Sequence, residues 1–199
     1  MPELEIMPEL ENLLSRVSVS GLVDPAPSGD ALERILQAGL RAPDHGRLAP
    51  WRYLLIRGDA RAALADVVEA AMRARDPDAT APTIDKQRGK FLAAPLVIAL
   101  GARIRTDHKV PPSEQMLSVG AGAMNLLNAI HALGFGGIWV TGPNAYDASV
   151  AASLGLHPPD SLAGFLFVGT PAAPPRPTAR PDLSGHVVEW TGPVAQVPA

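Results

Sequence analysis

Three short strings hold the residues whose types and spacing could do chemistry. Ser15-Arg16-Val17-Ser18-Val19-Ser20 closes a helical pattern. The planar donor fork of an arginine, followed by serine hydroxyls, suits a phosphate. The same arginine is equally suited to supporting its own helix terminus in solvent. Arg41-Ala-Pro-Asp-His45, with Pro50-Trp51 after it, sets a cation and an imidazole on a proline-stiffened loop between a helix and a strand. A histidine there serves either a ligand or the local hydrogen bonding, since its neutral-range titration suits both. Gly134-Phe-Gly-Gly-Ile-Trp-Val-Thr-Gly142 leads from a helix end into a strand through consecutive glycines. Such a segment admits a flat ring close to its backbone and offers strand N–H groups to it, or it makes a tight turn.

Conventional side-chain chemistry is missing. Gly-x-Ser-x-Gly, His-Glu-x-x-His, the P-loop pattern and Gly-x-Gly-x-x-Gly do not occur. The histidines at 45, 108, 131, 157 and 186 lie far apart, without metal-ligand spacing. With no cysteine there is no disulfide, thiolate nucleophile or Cys-ligated metal, which fits a reducing cytoplasm. A formal charge of -3, with both signs mixed along the chain, gives no basic face for nucleic acid. Either a cofactor supplies the chemistry, or the protein is not an enzyme.

The elements that must position these strings follow from periodicity in a chain of 199 residues, read as a single domain. Residues 1–7, which contain one of two MPEL strings, are expected to be dispensable. Leu10, Leu13, Leu14 and Val17 share one helical face, predicting a helix over Pro8 to Arg16. A second helix is expected from Asp30 to Ala42, a strand over 51–56 and a helix over 62–75. The Pro- and Asp-rich stretch 76–83 predicts a loop, followed by a short helix over 84–92. Residues 95–100 read as a strand apolar on both faces. The stretch 113–133 predicts the longest helix, and its small residues at 118 and 120–123 imply close backbone packing. The uncharged run 115–146 is broken by polar residues and glycines and has no basic flanks, so a buried helix and strand are expected, not a membrane span. A strand at 137–141, a helix at 145–154 and a strand at 162–168 complete the core. In the Pro-rich tail 171–199, residues 186–190 have strand character, as a segment wrapping a second subunit would.

Together the three strings resemble the nitroreductase family, most closely a short bacterial branch of NAD(P)H nitroreductases. The resemblance runs from Pro8 to Thr170 and includes Pro25-Ala-Pro, Arg41-Ala-Pro-Asp-His45, His108-Lys-Val-Pro111, Phe135-Gly-Gly-Ile-Trp139 and Gly164-Phe-Leu. It implies an α+β fold, with a mixed, mostly antiparallel sheet between helices, and a cytoplasmic homodimer with FMN at its interface. It further implies that Arg16, Val17 and Ser18 line the FMN phosphate and ribityl side, and that Arg41 and His45 reach FMN from the partner subunit. Trp139, Val140 and Thr141 would contact FMN from the strand, and Ala129 corresponds to a position near the nicotinamide nucleotide. The implied activity is ping-pong hydride transfer from NAD(P)H through FMN to a small electron-poor acceptor such as a nitroaromatic or quinone, with no catalytic side chain.

Departures from the family pattern fall on its basic residues. Val17, Ser20 and Val140 stand where members often carry cations, and Ala49 replaces a glutamine. Arg47, or Arg176 or Arg180 in the tail, could supply the missing charge. The same departures leave open an FMN-storing or sensing dimer, or a flavin-dependent dehydrogenase acting on another substrate.

Overall fold

The computed structural model describes residues 7–192. Residues 1–6, within the segment expected to be dispensable, and the last seven of the tail lie outside them. The fold is α+β. Helices α1 (Pro8–Ser15), α2 (Gly29–Gly39), α3 (Asp59–Arg75), α4 (Ala81–Ala93), α5 (Pro112–Ala132) and α6 (Ala148–Ser153) surround a five-stranded sheet. Its strands are β1 (Leu22–Val23), β2 (Trp51–Arg57), β3 (Leu96–Ala102), β4 (Gly136–Val140) and β5 (Ser161–Pro171). β5 is the spine: it pairs with β3, with β4 and, at its last two residues, with β1, while β2 flanks β3. All the described pairings are antiparallel.

Every residue of β3 is buried, as expected for a strand covered on both faces. Alternation along β3 and β5 splits the core in two. Val97, Ala99, Phe165 and Phe167 face α3, α4 and α6, where Leu64, Val68, Phe91 and Val150 meet them. Phe91 meets the rings of Phe165 and Phe167 edge-on, at 5.1 and 5.4 Å. Leu96, Ile98, Leu100, Leu166 and Val168 face α2 and α5, against Ile35, Leu126 and Ile130. Each of these large side chains contributes about 1.5–3 kcal/mol by leaving water.

The small residues of α5 do what their backbone cost implied. A Cβ on Gly122 would lie 2.3 Å from the Tyr53 hydroxyl and 3.2 Å from the Gly39 carbonyl, and one on Gly39 would lie 2.8 Å from Leu126. Helices α2 and α5 therefore cross at a glycine pair with the Tyr53 ring against it. The Tyr53 hydroxyl is buried with no partner among the described residues, and burial pushes its pKa up to about 12. No described helix is long and apolar enough to cross a membrane.

Several boundaries moved for local reasons. Helix α2 stops at Gly39, where it packs on α5, and not at Ala42. Helix α4 begins at Ala81, because Pro82 suits a first helical turn. This shortens the expected loop. Helix α6 begins only after Asp147, whose carboxylate accepts the N–H groups of Ser149 and Val150. Burial alone would raise the Asp147 pKa, but the Ser149 hydroxyl, Arg75 and the two N–H groups bring it down to about 2. The two-residue strand β1 was not foreseen, and residues 187–190 are exposed and belong to no strand. They have no ladder partner among the described residues.

Two outcomes follow from this packing. Gly122→Ala should lower stability by about 1–3 kcal/mol, the cost of overpacking a filled core. Most of that loss should return in Tyr53→Phe/Gly122→Ala, and Tyr53→Phe alone should be neutral or stabilising, because it removes an unpaired buried hydroxyl; urea unfolding midpoints measure all three. Asp147→Ala should cost about 0.5–2 kcal/mol, as a lost N-cap. Because the folded-state pKa of Asp147 is depressed, that contribution is complete above its ordinary value near 4 and fades as pH falls toward 2. The wild-type and variant stabilities should therefore converge in acid unfolding curves.

Candidate functional site

Arg16 caps the C-terminus of α1, a helix fixed to α5 by two contacts. The Asn12 side-chain amide donates to the Asn128 carbonyl at 3.2 Å, and Ser15 Oγ lies 3.0 Å from His131 Nε2. From there the chain runs beside β4, where the Val19 N–H donates to the Gly137 carbonyl at 3.1 Å. The Arg16 guanidinium is left in an unusual state. Its Nε and Nη1 atoms are buried and have no partner among the described residues.

Arg180, in the tail, aggravates that state. It donates to the Arg16 carbonyl at 2.8 Å, and its charge adds to desolvation in lowering the Arg16 pKa. The tail residues Pro175, Thr178 and Arg180 close a concavity of about 400 Å³ whose other wall includes Ser15, Val17 and His131. Neither guanidinium has an ion-pair partner among the described residues, which calls for an anion, because burying donors unpaired is costly. Val17 is half-buried and Ser18 exposed on the same segment.

The strand string splits between faces. The Trp139 side chain lies on the α5 side, where its indole N–H donates to the Ala163 carbonyl at 3.1 Å and its ring lies over Gly120. Val140 points the other way and, with Thr141, lines a separate concavity of about 180 Å³ beside Arg75, Lys90 and Phe91. The two side chains therefore open onto different faces of the sheet. The backbone is different. The Gly137 carbonyl is turned outward to Val19, and backbone polar groups alternate along a strand, so those of Trp139 also face the open edge of β4. Gly164, at φ +133°, leaves room for the indole, because a Cβ there would lie 2.5 Å from the indole nitrogen. Ala129 sits half-buried on α5, one residue from the Asn128 carbonyl that holds α1.

Arg41 and His45 lie elsewhere. His45 heads a 3-10 turn (His45–Arg47), and its Nδ1 is 2.7 Å from the Glu114 carboxylate in the first turn of α5. An open concavity of about 310 Å³ there is lined by Pro43, His45, Glu114, Leu117, Ser118 and Ala121. Arg41 is exposed. Seventeen residues of helix separate Glu114 from His131, about 25 Å at 1.5 Å per residue. Within one chain, the Arg16 and His45 groups therefore stand at opposite ends of α5.

Sequence reading missed what braces the His45 loop. Buried Gln115 accepts the Arg105 N–H and donates to the carbonyls of Arg105 and Val110, each at 2.9 Å. His108 accepts the Val110 N–H at 3.1 Å, and Gly46 packs on both residues. That gives His108-Lys-Val-Pro111 a structural purpose. The polar Gln115 in an otherwise apolar helical stripe was the available signal. Glu114 was not foreseen as the partner of His45.

Comparison with known proteins identifies the family. Residues 13–170 match the model of the Nitroreductase family. The chain is 41% identical over 165 residues to the Escherichia coli (strain K12) protein named "Putative NAD(P)H nitroreductase YdjA", covering 83% of this chain and 89% of that one. A Haemophilus influenzae protein named "Putative NAD(P)H nitroreductase" is 33% identical, covering 82% and 89%. Among solved structures, a nitroreductase-like family protein from Bacillus cereus shares the fold at a TM-score of 0.80 and 22% identity, over 94% of this chain and 98% of that one. A Desulfovibrio desulfuricans structure described as a nitroreductase in complex with FMN aligns at 0.72 and 25% identity, over 95% of this chain and 100% of its own. The chain belongs to the nitroreductase family.

Proposed function

We propose that the chain is an FMN-dependent NAD(P)H oxidoreductase, active as a homodimer on small electron-poor acceptors such as nitroaromatics or quinones. The observation that carries this reading is the pair of unpartnered, buried donors on Arg16 beside the Arg180 guanidinium. A phosphate monoester bears about -1.5 to -2 charge near neutrality and several acceptor oxygens, which fits two guanidinium groups. Arg180 thus supplies the cation that Val17 and Ser20 do not. Bound FMN would supply the redox centre, taking hydride from NAD(P)H and passing two electrons on.

The chain's own residues would hold and orient that cofactor. Arg16 and Arg180 would hold its phosphate, with the Ser18 hydroxyl in reach of it. The outward backbone groups of Trp139 would meet polar atoms of the ring. Val140 turns its side chain to the opposite side of the sheet and its backbone polar groups toward β5, so its part would be to hold Trp139 in register. Ala129 would stand near the nicotinamide nucleotide.

The separation of Arg16 from His45 along α5 supports two subunits per site. An antiparallel pairing of α5 helices brings the first turn of one beside the last turn of the other, so that Arg41 and His45 of the partner subunit complete each site. The unburied apolar face fits such a pairing: Met7, Leu10, Leu13 and Leu14 around α1, and Leu117 and Met124 on α5, are all exposed in the single chain. A cluster of this kind is uncommon on a monomer.

Purified protein should bleach under NADH or NADPH without air and regain its flavin colour on addition of a quinone. A flavin that stays oxidised with both nucleotides would replace this reading with FMN storage. Arg16→Ala should weaken FMN binding about 10- to 100-fold, equivalent to about 1.5–3 kcal/mol, and leave riboflavin binding unchanged. Arg180→Ala should act in the same direction in the same fluorescence titration. Light scattering at micromolar concentration should give twice the chain mass; a stable monomer would remove the second subunit from the site.

A further inference from the structure

A second group of cations lies where β2 begins and β3 ends. Arg52, Arg103 and Arg105 line one surface concavity of about 560 Å³, together with Leu48, Ala49 and Asp160. None of the three arginines forms an ion pair among the described residues. One oxygen of Asp160 accepts the Ile104 N–H at 2.9 Å, which fixes that carboxylate to the backbone. The concavity therefore has a surplus of positive charge in a chain whose net charge is -3.

Its walls are held in place. Arg52 lies opposite Gly101, where a Cβ would come within 3.0 Å of the Arg52 Cβ, so glycine lets the arginine stem cross the neighbouring strand. The Arg103 N–H donates to the Pro50 carbonyl at 2.6 Å, carrying the ladder one step past β3. Arg52 and Arg103 are thereby diagonal neighbours, about 7–8 Å apart. That is within a Debye length at physiological ionic strength, so the like charges repel. The Arg105 backbone is gripped on both sides by buried Gln115. Ala49, which lines the concavity, and Arg47 two residues before it hold left-handed φ values of +48° and +54°, with the Ala49 N–H bonded to Asp44 at 2.7 Å. Strain in residues other than glycine persists where the surroundings enforce it, commonly at ligand sites.

We infer that this concavity receives the ribose 2′-phosphate of NADPH and gives the chain a preference for NADPH over NADH, an inference that rests on the oxidoreductase reading above. A terminal phosphate carries nearly two charges, which matches three arginines better than the single charges along a pyrophosphate. Ala49 is four residues from His45, a span of at most about 14 Å. One loop thus connects the proposed flavin contact with the arginine cluster, and a dinucleotide reaches across that distance.

Calorimetric titration of the flavin-loaded full chain with NADP⁺, NAD⁺ and inorganic phosphate tests it. NADP⁺ should bind at least tenfold more tightly than NAD⁺, with inorganic phosphate competing against NADP⁺ and not against NAD⁺. Arg103→Ser/Arg105→Ser should bring NADP⁺ to the NAD⁺ affinity while flavin content and subunit mass stay as in the wild type. Equal wild-type affinities, or a tenfold preference that survives in the double variant, would overturn the inference. A flavin reduced equally well by NADH and NADPH, with equal affinities, would remove this site and leave the oxidoreductase reading intact. Tight, arginine-dependent NADP⁺ binding without any flavin reduction would do the reverse.

Discussion

A guanidinium that has left water without gaining a partner is the constraint on which the rest of this structure turns. Neutralising Arg16 is not available to the protein, because arginine keeps its proton across the accessible pH range. Its buried, unbonded Nε and Nη1 and the nearby charge of Arg180 are balanced by nothing among the described residues. Much of the surrounding architecture serves to hold that imbalance in place. Helix α1 buries none of its own residues, yet Asn12 and Ser15 tie its end to α5. The Val19 N–H then fixes the following segment to the edge of β4.

The same edge explains why glycine recurs in the strand string. Gly137 gives its carbonyl to Val19 and leaves Trp139 as the next outward-facing residue, and Gly164 lets the indole lie across β5. In the proposed function, the backbone of β4 would meet the ring and Arg16 the phosphate, with α5 behind both. The His45 loop is rigid for a different reason, since Gln115 and His108 brace it from below. Its distance from Arg16 means that, in the proposed function, a second subunit would be part of the chemistry and not only of the stability.

Much of the fold was legible because its signals are local. The apolar run of β3, the stripe of α5 and the prolines and glycines between elements each act within a few residues, and their elements stand close to where periodicity placed them. Boundaries were less legible where a distant group decides them. Helix α2 ends at Gly39 because α5 arrives there, and nothing near Gly39 announces Leu126 or Tyr53. The strand string was found, but the pleat that separates Trp139 from Val140 became visible only with the register against β5. Arg180 was one of two candidate cations in a proline-rich tail, and only the folded chain sets it beside Arg16.

The central claim, that two guanidinium groups hold a phosphate, is tested most directly by the ³¹P resonance of FMN bound to the protein, followed from pH 8 to pH 4.5. A free phosphate monoester takes up its second proton near pH 6, at about the pKa₂ of a phosphorylated side chain. Held between Arg16 and Arg180, the bound phosphate should remain dianionic through that range, with a shift that barely moves with pH. A bound resonance that titrates near pH 6, as free FMN does, would show that the phosphate is solvated away from the arginines and would contradict the account.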